Sequence, residues 1–165
     1  MITSHLPRTG EQIPYFQIRT LDGQTIDPWQ FKQRRNLLVY FPSLDDEPLT
    51  AVLQDFGDQC EELQWHEATL LVVLQDRHEQ DQALELLPDA CYLRCVDSSG
   101  EVRGKFGLDA HTSAVVLADR FGAVYASWEA RGADVMDVEE IMSTLKLLEA
   151  QCPECGGQGW AGPAE

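Results

Sequence analysis

The chain predicts an α/β protein, a mixed sheet with helices on both faces. Three observations carry this. Apolar runs of strand length alternate with segments whose apolar residues recur at three and four. The run "NLLVYF" is apolar throughout, as a central strand covered on both faces requires. Late in the chain, "SAVVLAD", "RFG" and "AVYASWEA" follow one another as two strands joined by a tight turn.

The elements follow in order. "PYFQIRTL" is expected to be a strand carrying Phe16 and Ile18, ended by the turn "DGQ". "TIDPWQFKQRR" gives a short strand end and a short helix, with Asp27 as N-cap and Pro28 at the first helical position. Beyond "NLLVYF", residues 47–67 predict a helix with Leu49, Val52, Leu53, Phe56, Cys60 and Leu63 on its apolar stripe. "TLLVVL" is a second buried strand, and "RHEQDQALELL" a helix ended near Pro88. "CYLRCV" alternates as a third strand, and "SSGEVRGKFGL" is a short helix or a glycine-rich turn. After the hairpin, "DVEEIMSTLKLLEA" closes the domain with Ile141, Leu145 and Leu148 on one helical face. Strands separated by helices imply parallel crossovers, and the hairpin implies an antiparallel edge. Residues 1–150 thus form one domain, and residues 151–165 form a glycine- and proline-rich tail without periodicity.

The charge excludes some functions. The sequence holds 28 acids and 12 bases, a formal charge of -16. No basic face is available to neutralise nucleic-acid phosphates or to dock on an anionic membrane. No apolar segment approaches membrane-span length. The first residues lack the charged start and apolar core of a secretory signal. A cytoplasmic protein is therefore expected. Its five cysteines, Cys60, Cys91, Cys95, Cys152 and Cys155, are an odd number and predict no disulfide framework there.

The pieces "GEQIPYFQIRTLDGQTI", "NLLVYFPS", "LLVVLQD", "DSSGEVRGKFGL" and "AVVLADRFGAVYASW", in this order and spacing, resemble the thioredoxin fold. They are most similar to the peroxiredoxin (AhpC/TSA) branch of redoxins, over roughly residues 10 to 150. The resemblance implies a thioredoxin-like three-layer sandwich. In peroxiredoxins the turn after "YFP" carries a peroxidatic cysteine at a helix N-terminus, where the helix dipole favours the thiolate. In "YFPSLDDEPLT" that position falls at or near Leu49. A thioredoxin C-x-x-C pair would fall near Asp46 to Leu49, and neither cysteine is present. The acids at 45–47 disfavour a thiolate and suit a helix N-terminus. Just before "AVVLAD", peroxiredoxins place an arginine and thioredoxins a cis-proline. Ser113 stands at about that point, and Arg120 lies beyond the strand. The resemblance implies the scaffold without the peroxidase activity. An enzyme on this scaffold would be a thiol-dependent oxidoreductase.

The tail holds the sharpest motif, Cys152-Pro153-Glu154-Cys155 followed by "GGQG". A C-x-x-C turn lets two sulfurs face one metal or each other. The string is similar to one repeat of the zinc region of DnaJ-type chaperones. One repeat supplies two of the four ligands zinc needs, so a second chain, a partner or another part of the fold would supply the rest. Metal binding, redox use and an inert tail stand as equal alternatives. Trp160 is a weaker candidate, an aromatic anchor that docks on a partner or folds back on its own domain. Cys60, Cys91 and Cys95 read as buried packing residues. Trp29, Trp65 and Trp128 read as packing residues too, and the four histidines default to the surface. No phosphate loop, Ser-His-Asp order or nucleotide fingerprint is present.

Three functions follow as expectations. The first is a redoxin-like domain without its peroxidatic cysteine, acting as a protein-binding or accessory module. The second is a thiol-disulfide oxidoreductase using Cys152 and Cys155. The third is a zinc-bridged dimer through that pair.

Overall fold

The computed structural model describes residues 6–43, 49–75, 92–131 and 136–151. The expected helix "RHEQDQALELL", Cys91 and the tail from Cys152 onward lie outside them.

Seven strands form one sheet: β1 (Ile18–Thr20), β2 (Thr25–Ile26), β3 (Asn36–Phe41), β4 (Ala68–Leu74), β5 (Tyr92–Val96), β6 (Thr112–Ala118) and β7 (Val124–Arg131). Their spatial order is β2-β1-β5-β4-β3-β6-β7. The helices are α1 (Leu49–Asp58), α2 (Cys60–Trp65), α3 (Glu101–Lys105) and α4 (Val138–Ala150).

The apolar run at 36–41 takes the centre. Every residue of β3 is buried, and the period-two pleat sends its side chains to opposite faces. Leu38 and Tyr40 join Val52, Leu53, Phe56, Ile141 and Leu145 under α1 and α4. Leu37, Val39 and Phe41 join Ile13, Phe16, Val102 and Phe106 on the other face. The chain is therefore a three-layer α/β sandwich. The second outer layer is built from α3 and the N-terminal segment. That segment is pinned to the last hairpin, where the Gly10 amide donates to the Val124 carbonyl at 2.8 Å and the Ile13 amide to the Gly122 carbonyl at 2.9 Å.

Parallel crossovers occur only in part. β3 pairs parallel with β4, and β4 with β5. β6 runs antiparallel to β3, and β1 antiparallel to β5. The cause is length. A parallel return needs a crossover that traverses the sheet, and α3 has only five residues. The chain after β5 stays at one end of the sheet and comes back down as β6.

The helical stretch at 47–67 is broken. α1 and α2 are separated at Gln59, two residues after Gly57, whose missing side chain weakens a helix interior. The turn at Asp27 forms as the sequence implies, as a short 3-10 helix over Pro28–Phe31. Asp27 accepts from the Trp29 amide at 2.8 Å, and the Gln30 side chain closes the capping box.

Two tryptophans depart from the packing role. Trp65 is 80% exposed and Trp29 44% exposed, while Trp128 packs against the core from a half-buried position. Trp65 lies two residues beyond the buried Leu63, which turns it to the solvent face of α2. Cys60 differs as well. It is half-buried and disulfide-bonded. Cys95 is free.

The β6–β7 turn is tight. Asp119 accepts from the Phe121 amide at 2.8 Å and the Ala123 amide at 3.1 Å. Gly122 has φ +85°, and a Cβ there would lie 2.9 Å from Gln12 Oε1, so glycine is required twice over. The amide of Gln12 is buried with neither its nitrogen nor its oxygen hydrogen-bonded. An orphaned buried amide costs stability. Gln12→Met is expected to raise the unfolding free energy by about 1 kcal/mol in urea titration. A loss of that size would show that the amide is partnered in solution.

Candidate functional site

In open α/β sheets, binding sites form outside the carboxyl ends of the strands. Here that is the turn after β3, where Pro42 and Ser43 lead toward α1. Leu49 opens the described part of α1. The turn between them, residues 44–48, lies outside the described residues.

The underside of this turn is a buried polar cluster centred on Arg103. Arg103 is 2% exposed, and burial of an arginine demands partners for its donors. The guanidinium donates to the Pro42 carbonyl at 3.1 Å. It donates twice to the Asp109 carbonyl, at 3.1 and 2.8 Å, and once to the Thr112 carbonyl. It also lies over the Phe41 ring, 5.8 Å from the centroid. Burial lowers its pKa to about 10, while the Asp109 and Asp97 carboxylates push back, so it stays charged at neutral pH.

Local sequence explains why Arg103 points there. Asp97 ends β5, is buried, and accepts from the Val102 amide at 3.1 Å and the Arg103 amide at 2.9 Å. This caps α3 and fixes its first turn. Gly100, at φ +74°, supplies the left-handed bend that aims the helix back. Phe106 then packs against Phe41 at 4.8 Å and Phe16 at 5.6 Å between ring centroids. The opposite side of the cluster is the 109–112 turn. The Asp109 carboxylate accepts from the His111 amide at 2.9 Å and the Thr112 hydroxyl at 3.0 Å, and these bonds lower its pKa.

Two further groups close the turn. Gln75 donates to the carbonyls of Pro42 at 3.2 Å and Ala110 at 3.0 Å. The Ser43 amide donates to the Ser113 hydroxyl oxygen at 3.2 Å, with both residues buried. Ser113 thus sits beside the turn, where the sequence spacing put it. Arg120 does not. It pairs with Glu149 at 3.0 Å and Glu67 at 3.7 Å, at the far end of the sheet. Arg103 and Gln75 were not expected from sequence. The signal in hindsight is an arginine in "DSSGEVRGKFGL" next to Val102 and Phe106, on the apolar side of a short helix.

The cysteines are not gathered at this turn. Cys95 is buried on β5, where burial pushes its thiol from 9.0 to about 12. Cys60 lies on α2. Cys152, Cys155 and Trp160 lie outside the described residues. Among the described residues, no three His, Cys, Asp or Glu side chains are grouped to hold a metal, and no helix is long and apolar enough to cross a membrane.

This sheet order, with helices on both faces and the turn after β3 at the switch from parallel to antiparallel pairing, is the thioredoxin-like architecture in its peroxiredoxin-like form. Solved structures agree. Peroxidoxin BcpB from Mycobacterium tuberculosis superposes with TM-score 0.70 at 18% identity, covering 86% of this chain and 98% of that one. The mitochondrial 2-Cys peroxiredoxin of Plasmodium falciparum gives 0.73 at 13% identity, covering 86% and 94%. AhpC from Mycobacterium tuberculosis gives 0.72 at 18% identity, covering 90% and 98%. These superpositions establish a shared fold. No protein-family model and no curated protein sequence matches the chain.

Two outcomes are expected. Arg103→Met takes a donor from the carbonyls of Pro42, Asp109 and Thr112 and should cost about 3 kcal/mol of unfolding free energy in denaturant titration. Arg103→Lys should recover only part of it, because one ammonium cannot span three carbonyls. A loss under about 0.5 kcal/mol would show that water replaces the guanidinium. Cys95 should resist iodoacetamide in the folded protein and react on denaturation. Its folded pKa is raised, so its stabilising effect is complete below pH 9.0 and is lost as pH rises toward about 12. Full alkylation under native conditions would contradict the burial.

Proposed function

We propose that the chain is a redoxin-like module that works through protein contacts, an accessory element of a redox system, without peroxidase chemistry of its own at the turn after β3. One observation supports this most. The two described polar groups that open that turn face inward: the Pro42 carbonyl accepts from Arg103 and Gln75, and the Ser43 amide donates to Ser113. From Ser43 to Gln59 the sequence offers no thiol. A peroxidatic site needs both a thiolate and donors aimed outward at the substrate oxygen. Among the described residues the one buried guanidinium, that of Arg103, is fastened to main-chain carbonyls. Association with a partner protein or a second copy, and a cytoplasmic location, belong to the same proposal.

A second reading, thiol–disulfide exchange, is favoured by the disulfide at Cys60. In its stated form the working pair is Cys152 and Cys155, and exchange would pass through a mixed disulfide with Cys60 or with a partner. The third reading gives Cys152 and Cys155 a zinc ion shared with a second chain, and its check is zinc content before and after Cys152→Ser/Cys155→Ser.

The test is peroxide consumption by the purified chain with excess dithiothreitol. The rate should match that of a variant with all five cysteines changed to serine. Turnover that the cysteine changes abolish would overturn the module reading. Peptide mapping without reductant separates the second reading. A Cys60 bond to Cys152 or Cys155 supports exchange through the tail, and a bond to Cys91 removes that support.

A further inference from the structure

At the end of the sheet opposite the turn after β3 lies a shallow apolar groove, enclosing about 330 Å³ with its open mouth included. Leu37 at the start of β3 and Ala118 at the end of β6 belong to its lining, with Tyr15 and Trp29. The two aromatic side chains stack with centroids 6.2 Å apart and planes 22° apart, yet are 45% and 44% exposed. The pair is assembled in advance. The Tyr15 hydroxyl donates to Asp27 at 2.8 Å and accepts from the Gln17 side-chain amide at 3.1 Å. Asp27 also caps the turn that carries Trp29. A preformed aromatic wall offers an apolar body dry contact at little ordering cost.

Charge decides what that body carries. The charged side chains lining the groove are Lys32, Arg35 and Asp119. The Asp119 carboxylate is taken up by its own turn, where it accepts from the Phe121 and Ala123 amides. Arg35 is fastened to uncharged acceptors, its Nε donating to the Thr69 hydroxyl oxygen at 2.8 Å and its Nη2 to the Ala68 carbonyl at 3.0 Å. Lys32 differs. It is half-buried, and its Nζ lies 4.2 Å from the Trp29 ring centroid. Among the described residues it pairs with no carboxylate, in a chain where acids outnumber bases 28 to 12. An ammonium held over a ring, with its donors unspent, complements an anion.

We infer that the groove binds a small organic monoanion, an apolar single-ring body against Tyr15 and Trp29 with one carboxylate on Lys32. Volume sets the size, since a shallow space of about 330 Å³ suits a ring rather than a folded segment of a partner. The donors set the charge. The Nε–Nη2 edge of Arg35, a usual fork for a phosphate, is already spent, and Lys32 supplies a single point charge. This inference requires none of the readings given to the turn after β3.

The experiment uses the full chain labelled with fluorotryptophan and fluorine NMR, with Trp29→Phe and Trp65→Phe assigning their signals. The probes are benzoate, phenylacetate and cinnamate, each beside its uncharged primary amide. At least one acid should move the Trp29 signal saturably while the Trp65 signal stays. Its amide should bind about tenfold more weakly, having lost one charge-assisted contact. Lys32→Gln, a surface change whose fold is verified by far-ultraviolet circular dichroism, should erase that preference and leave the affinity for the amide unchanged. No saturable shift of Trp29 with any of the acids overturns the inference. Equal binding of acid and amide also overturns it, because the groove then recognises no anion. So does a preference that survives Lys32→Gln, and so do shifts of equal size at Trp65, which mark unspecific adsorption.

Discussion

The guanidinium of Arg103 is the point on which the functional end of this sheet depends. It is buried, charged, and holds two chain segments by three carbonyls: Pro42 after β3, and Asp109 and Thr112 in the turn that leads into β6. A buried cation without those partners would cost several kcal/mol, so the two segments and the arginine require one another. Asp97 fixes where the arginine begins, and Phe106 fixes the helix that bears it. The geometry of the turn after β3 is thus set from below, by contacts that leave its carbonyl and amide facing inward.

That constraint links fold to function. A redoxin scaffold usually presents a reactive group at this turn, on a helix N-terminus whose dipole favours an anion. The present chain has β3 before residues 44–48 and α1 after them, with Leu49 where the described helix opens. Its charges at 45–47 are acids, suited to the helix and hostile to a thiolate. The buried Arg103 guanidinium beneath Pro42 is bound to carbonyls. Other distinctive features lie elsewhere: an aromatic groove at the other end of the sheet, and a cysteine on α2 held in a disulfide.

Much of the fold was legible because it rests on periodicity. The continuous apolar run of β3, the alternation of the hairpin and the 3.6-residue face of α4 each state their environment locally. Asp27 and Pro28 announced their turn by chemistry confined to four residues. What was not legible depended on distance or on solvent. β6 runs antiparallel to β3 because α3 is too short to cross the sheet, and helix length is poorly marked in "SSGEVRGKFGL". Trp65 is apolar, yet faces water because Leu63 took the buried position. Arg103 looks like a surface charge in sequence, and only the convergence of 42, 109 and 112 in space makes it a buried clamp. The disulfide of Cys60 has no local signature at all.

Native-state hydrogen exchange at the Ser43 amide tests the central claim most directly. If the turn is locked from below, this amide exchanges with an opening free energy close to that of Val39 in the middle of β3, and both fall together as denaturant is added. If Ser43 exchanges through a small local opening, insensitive to denaturant while Val39 stays protected, the turn is not closed inward. Its polar groups would then be free to meet a substrate.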